Sequence, residues 1–298
     1  MLEQLFRKKG LTENKNTQLK RCLSAFDLTL LGVGCIIGTG IFVLTGIVAA
    51  THSGPAIIIS FIIAGTACAF AALSYAELSS SIGGCGSAYG YSYVAFGELF
   101  AWIIGWILLL EYGVAIAAVA SGWSGYFNNA LVAINIGLPE YLINPPSAGG
   151  IINLPASIII FLIMMLLIAG VKESVKLNTI MVFIKISAIL VFIFIALFNV
   201  NPSNWTPFIP FGWFDRLPDG ETIGIFAGAS IVFFAYVGFD AVSTAAEEAI
   251  NPQKDLPKGI LYSLMICTVF YVIVSSLLTG VVYYEELNVS DPVAFALS

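Results

Sequence analysis

The sequence predicts an all-α polytopic membrane protein, and three observations carry that prediction. Hydrophobic residues make up 59% of the 298 residues and charged residues only 10%. The mean hydropathy is +0.95. The run 28–76 holds no Asp, Glu, Lys or Arg, and it is more than twice the roughly 20 apolar residues one helix needs to cross a bilayer. This composition excludes a soluble domain. Cys22, Cys35, Cys68, Cys85 and Cys267 are scattered and there is a single histidine, so neither a disulfide framework nor a metal site is expected. Nothing points to a cofactor or to a nucleic-acid partner.

Seven spans are expected. The first is 28–50 and the second 55–78, with His52-Ser53-Gly54-Pro55 as the turn between them. The stretch 79–89 is an uncharged loop of small residues. The third span, 98–127, carries Glu111, and the proline-bearing connection 128–153 follows it. The fourth is 154–170, and the fifth, 177–198, carries Lys185. The loop 199–220 has four prolines, with Trp205 and Trp213 suited to a membrane interface. The sixth span is 221–250, the seventh 259–284, and a polar segment 285–298 ends the chain.

Ten of the twelve Lys and Arg lie before the first span, at Lys172 and Lys176, and at Lys254 and Lys258. These loops share one side of the membrane when the N-terminus is cytoplasmic, as the positive-inside rule requires. The chain then divides into a cytoplasmic segment 1–26, a block 27–199 of spans one to five, and a block 200–298. The last block holds an extracellular loop, spans six and seven and an external C-terminal segment. The first span follows too much charge and is too long for a cleaved signal peptide, so it inserts as an uncleaved anchor in the plasma membrane.

Two spans are unusual. Gly32, Gly34, Gly38 and Gly40 fall within nine residues of the first, and each glycine costs about 1 kcal/mol in a helix relative to Ala. Unwound backbone in hydrocarbon survives only where protein or a watery cavity covers it. Free N–H groups at the start of a second half-helix favour a carboxylate. The same spacing also fits a small-residue packing face. In the sixth span, Phe233-Phe234-Ala235-Tyr236-Val237-Gly238-Phe239-Asp240 combines aromatics, a glycine and a carboxylate. An interrupted helix opening each of two halves is the mark of an inverted-repeat transporter.

Three groups of residues then carry a resemblance. Leu23-Ser24-Ala25-Phe26-Asp27 leads into Gly32-x-Gly34-x-Ile36-Ile37-Gly38-Thr39-Gly40-Ile41-Phe42. Gly83-Gly84-x-Gly86-Ser87-Ala88-Tyr89 leads to Ala95-Phe96-Gly97-Glu98. Phe234 to Asp240 is followed by Glu247-Glu248 and Asn251-Pro252-x-Lys254-x-Leu256-Pro257. In order and spacing these resemble the amino acid–polyamine–organocation (APC) superfamily of secondary transporters, above all its cationic amino acid transporter branch and the bacterial amino acid permeases similar to it. The resemblance implies the five-plus-five inverted-repeat (LeuT-like) fold. That fold usually has twelve or more helices, and this sequence stops after the seventh. A natural truncation or a fragment is the expectation.

By the same resemblance, a substrate carboxylate sits on the backbone of Ile36, Ile37, Gly38, Thr39 and Gly40. The substrate ammonium meets carbonyls near Phe234, Ala235 and Val237, with Phe234 as an aromatic gate or as an ordinary core aromatic. Bacterial relatives with a lysine matching Lys185 are proton-coupled, and desolvation lowers the pKa of a buried amine. Lys185 is alternatively a side chain reaching back to the interface. Glu111 and Asp240 are costly in lipid and so face the bundle interior. Glu111 there either bonds a neighbouring helix or meets a cationic substrate, and Asp240 either caps the second half of the sixth span or joins the site. His52 reads as a solvated loop residue. The expected function is secondary active transport of amino acids by alternating access, coupled to protons. The alternative is a truncated, non-transporting membrane component. With no His-Glu-x-x-His and one histidine, an enzyme is not expected.

Overall fold

The computed structural model describes residues 6–10, 21–82, 84, 86–146, 149–169, 171–218 and 220–297, without the side chains of 169 and 171–178. Among the sequence expectations, Lys15, Lys20, Gly83, Cys85 and Gly170 lie outside the described residues, as do the side chains of Lys172 and Lys176. The helices are α1 (Ala25–Ile36), α2 (Thr45–Val48), α3 (Ile57–Ile82), α4 (Ser87–Ala95), α5 (Glu98–Ala133) and α6 (Leu154–Ala169). They continue with α7 (Val171–Leu197), α8 (Ile225–Val232), α9 (Ala241–Thr244), α10 (Pro252–Val281) and α11 (Pro292–Phe295). A two-stranded antiparallel hairpin, β1 (Asp215–Arg216) and β2 (Thr222–Ile223), lies in the loop before α8.

Among the described residues, five helical stretches are long and apolar enough to cross a membrane: Gly40–Ile82, Glu98–Ala133, Thr179–Leu197, Ile225–Glu247 and Pro252–Val281. Ala25–Ile36 and Leu154–Ile168 are shorter apolar helices. Each expected span has a helical counterpart, with three differences. The turn expected at 52–55 stays helical in π (Ala49–Ser53) and 3₁₀ (Gly54–Ala56) form. Gly54 alone takes the reversal, at φ +60°, a conformation open to glycine. The loop expected at 79–89 is shortened by the end of α3 and by α4, whose small residues read as a turn. The third helix runs on to Ala133, because Asn128 and Asn129 find polar partners there rather than ending it.

The chain folds as two compact units. One comprises Met1–Ile37, Phe61–Gly113 and Phe233–Phe270, and the other Gly38–Ser60, Val114–Val232 and Tyr271–Ser298. In the first unit, Ser24 and Asp27 form a reciprocal capping box at the start of α1, which ties off two orphan N–H groups. These hydrogen bonds hold the Asp27 carboxyl below its usual range. The strand-like pair Leu23 and Ala249 forms a parallel bridge. In it Leu23 N–H donates to the Glu248 carbonyl at 3.0 Å and Ile250 N–H to the Leu23 carbonyl at 2.9 Å. Helix α1 lies directly on α9 and α10 because Gly32 has no side chain. A Cβ there would stand 2.5 Å from Ser263 Oγ and 2.8 Å from Val242. Leu28, Phe61, Tyr236, Leu256 and Ile260 are fully buried in this unit.

In the second unit the helical run 40–53 packs against α8. Ser60 Oγ donates to the Ile225 carbonyl at 2.8 Å, and Gly224 N–H to the His52 carbonyl at 2.9 Å. His52 is not the solvated residue expected: its side chain is 12% exposed and lies 3.5 Å from Glu221. Trp205 Nε1 donates to the Ser276 carbonyl at 3.3 Å, which seats the loop before β1 on α10.

Burial separates the helices. Of the most apolar window in Ile225–Glu247, 61% is buried, against 6% in Glu98–Ala133. The faces of α5, α6 and α7 carry exposed Trp102, Leu110, Phe161, Ile168 and Phe194. Such surface is an aggregation hazard in water, and hydrocarbon or further helices satisfy it.

Replacing Gly32 by Ala is expected to lower the melting temperature of the detergent-solubilised chain, at a cost of about 1–3 kcal/mol from overpacking. Gly113→Ala, where a Cβ would meet nothing within 4 Å, is expected to be neutral or stabilising by up to about 1 kcal/mol. Thermal unfolding of the two variants side by side checks the contrast.

Candidate functional site

The first span breaks where the glycines predict. Helix α1 ends at Ile36, and Ile37 is extended at φ −70°, ψ +106° while its N–H still reaches the Val33 carbonyl at 2.9 Å. Helical geometry returns at Thr39, and Gly40–Leu44 is a π-helical turn. The N–H groups that open a new helix have no partner within it, so Gly38, Thr39 and Gly40 present donors at this point. Ile36 and Ile37 are buried in the first unit. Gly38 and Thr39 are half-buried and Gly40 buried in the second. A Cβ on Gly38 would meet only Val119, at 3.9 Å. Gly122 lets α5 approach: a Cβ there would stand 2.9 Å from Thr39 and 3.2 Å from Val43. Tyr126 Oη donates to the Phe42 carbonyl at 2.5 Å, satisfying a carbonyl that the π-helical turn frees.

The sixth span is broken as well. After α8 the chain tightens into a 3₁₀ turn, Phe233–Tyr236, and Gly238 stands at φ +114°. A Cβ on Gly238 would lie 3.0 Å from the Cys35 carbonyl oxygen. Glycine is required twice over, for its backbone angle and for this approach. Within the first unit, therefore, the interruption of the sixth span rests on the last turn of α1. Tyr236, fully buried, fixes the turn by donating its hydroxyl to the Phe61 carbonyl at 2.9 Å. Phe239 meets Tyr75 edge-on, with centroids 5.5 Å apart. Ala235 is buried, and Phe234 and Val237 are half-buried.

Asp240 is 7% exposed. It does not cap α9, since its side chain makes no cap hydrogen bond. It accepts instead from Tyr112 Oη at 2.6 Å and from Ser87 Oγ at 3.5 Å. Glu111, next to Tyr112 on α5, is half-buried in the same unit. Tyr91, 5% exposed, carries a hydroxyl with no hydrogen-bond partner among the described residues, and its ring meets Tyr75 at 6.0 Å. Tyr112, Ser87, Tyr75 and Tyr91 were not predicted. The tyrosines carry only the signal of a hydroxyl among apolar or small residues, Ser87 lies within the small-residue motif 83–89, and buried tyrosine hydroxyls generally seek partners.

Lys185 is half-buried on α7. It lies three residues after buried Val182 and four before buried Ile189, on the stripe that continues through Phe192 and Ala196. That spacing puts it on the helix's inward face. Lys185 belongs to the second unit with Gly38, Thr39 and Gly40, whereas Ile36, Ile37, Glu111, Phe234, Ala235, Val237 and Asp240 belong to the first.

Apolar spans of which two are discontinuous, both interrupted by unwound or tightened backbone and the second followed by a buried acid, are the build of a polytopic membrane transporter. The chain belongs to the amino acid permease family, which it matches over residues 23–297. It is 54% identical to the methylthioribose transporter of Bacillus subtilis, over 99% of this chain and 64% of that protein. It is 50% identical to the branched-chain amino acid permease BcaP of the same organism, over 98% of this chain and 63% of that protein. Against human cationic amino acid transporter 4 the identity is 38%, over 94% of this chain and 44% of the other. The chain thus spans less than two thirds of these relatives. The family is one of transporters, not enzymes.

Two substitutions test the site's architecture. Tyr112→Phe removes the shorter hydrogen bond to a buried carboxylate, which is expected to cost about 1–3 kcal/mol. Gly238→Ala is expected to cost at least as much, because it adds contact with Cys35 to backbone strain of about 1–3 kcal/mol. Melting temperatures in detergent check both, and an unchanged Gly238→Ala would mean that this glycine is not conformationally required.

Proposed function

We propose that the protein is a secondary active transporter of amino acids in the plasma membrane, with substrate held at the interruptions of the first and sixth helices. The observation that carries the reading is the seating of Gly238 on the Cys35 carbonyl. The carboxylate lies on the unwound backbone around Ile36, Ile37, Gly38, Thr39 and Gly40, where Gly38, Thr39 and Gly40 supply the N–H donors because Ile37 N–H is held by the Val33 carbonyl, and the Thr39 hydroxyl adds a donor. The ammonium meets carbonyls near Phe234, Ala235 and Val237. N–H ends for the anion and C=O ends for the cation are what half-helix termini offer. Glu111 and Asp240 supply the acidic groups of the site. The fold is the five-plus-five inverted repeat, with 27–199 as its first repeat and 200–298 opening the second, and the N-terminus is cytoplasmic. Binding is proposed for this chain, and the transport cycle for the protein at its relatives' length. The names of those relatives, which include branched-chain and cationic amino acid transporters, support an amino acid as cargo.

Gly38→Val and Gly40→Val are expected to abolish binding of labelled amino acid and leave membrane insertion intact. Equilibrium binding to purified chain checks this, and retained binding by Gly40→Val returns the glycines to a packing role.

Coupling is assigned to Lys185. Its position on the buried stripe of α7, between Val182 and Ile189, supports this assignment, because an ionisable group facing the interior of a bundle of spans is a usual carrier of protons. In vesicles containing the protein at its relatives' length, acidifying the outside is expected to drive accumulation. Lys185→Ala is expected to lose accumulation and Lys258→Ala to keep it. Accumulation by Lys185→Ala would remove the lysine from the coupling step.

A further inference from the structure

The second unit holds a cavity of about 380 Å³ that the proposed transport site does not use. Its volume falls within the roughly 300–1,000 Å³ range of small-molecule sites. An idle gap between apolar helices is lined by apolar atoms. This one is lined by Asn128, Asn129, Asn144 and Asn153, by three serines, and by Glu140. Among the described residues, no lysine, arginine or histidine lines it.

Ser124 forms the buried floor of the wall and Asn129 and Glu140 its exposed rim, and what the groups have left to offer follows from what they already hold. Ser124 is fully buried and donates to Asn153 Oδ1 at 2.7 Å. The same oxygen accepts from Ala156 N–H at 3.1 Å, at the start of α6. Asn128 Oδ1 accepts from Leu138 N–H at 3.4 Å. With their oxygens engaged, Asn153 and Asn128 offer amide N–H donors. Asn129 is the reverse: its Nδ2 donates to Asp291, a carboxylate that is itself 6% exposed, so its amide oxygen remains as an acceptor. Glu140, at the start of the turn Glu140–Leu142, supplies a negative charge.

Two amide donors beside a carboxylate and an amide acceptor complement a carboxylate and an ammonium held on one carbon. The charge on Glu140, with no cationic side chain beside it among the described lining residues, selects against a net anion. We propose that this cavity is a second binding site, for a free zwitterionic or cationic amino acid. Glu140 and Asn129 receive the ammonium, and Asn128 and Asn153 receive the carboxylate. The identity of the ligand rests on the reading of the chain as an amino acid transporter.

Equilibrium binding of labelled L-leucine and L-lysine to the purified chain tests it. Two classes of site are expected. Glu140→Gln and Asn128→Ala each weaken one class at least tenfold and leave the other, and Gly38→Val does the converse. A single class that Gly38→Val removes, with Glu140→Gln and Asn128→Ala binding as the unmutated chain, overturns the cavity site and leaves the transport site standing. Binding that survives Gly38→Val and is lost in Glu140→Gln supports the cavity and overturns the transport site. Failure of the unmutated chain to bind either amino acid overturns both.

Discussion

A backbone polar group buried without a partner is a heavy liability in hydrocarbon, and this fold breaks two of its helices there. Around the breaks, side-chain hydroxyls reach backbone carbonyls one at a time. Tyr126 reaches Phe42, Thr45 reaches Gly40, and Ser60 reaches Ile225. Tyr236 reaches Phe61, so the turn that interrupts the sixth span is pinned to α3 through an aromatic hydroxyl. The donors are all hydroxyls on otherwise apolar or small residues. Such groups insert readily into a membrane-facing sequence and find their acceptors only after the helices pack.

The buried carboxylate obeys the same rule with higher stakes, since an unpaired buried charge costs several kcal/mol. Asp240 draws one donor from α5 and one from the first residue of α4. Ser87 is held at φ +46°, an uncommon angle for a residue other than glycine. Three elements distant in sequence thus meet at one acid. Their agreement keeps the second half of the sixth helix in register with the third.

The large features were legible in the sequence because they are written in runs. Apolar length set the helices, and glycine spacing located the interruption at Ile37–Gly40. Gly238 stood out among aromatics. What escaped was pairwise. No property of Tyr112 separates it from other tyrosines in an apolar run, and Asp240 read as either a helix cap or a site acid because its partner is 128 residues away. Helix α4 was hidden because Gly86, Ser87 and Gly90 favour turns. The end of α5 was misplaced because Asn128 and Asn129 read as a terminus until Leu138 N–H is in position to donate to the first and Asp291 to accept from the second. Lys185 was legible as an anomaly, and the buried stripe on α7 says which way it faces.

The parallel bridge at Leu23 and Ala249 joins the residues just before the first broken helix to those just after the second. Its backbone hydrogen bonds do not depend on side-chain identity, and they lie next to the capping box that starts α1. With Gly32 pressed on Val242 farther along, α1 and α9 are fastened at two levels. Two fastenings on one pair of rods remove the hinge between them. The pair therefore behaves as a single lever, and any rearrangement that tilts one of these half-helices carries the other through the same arc.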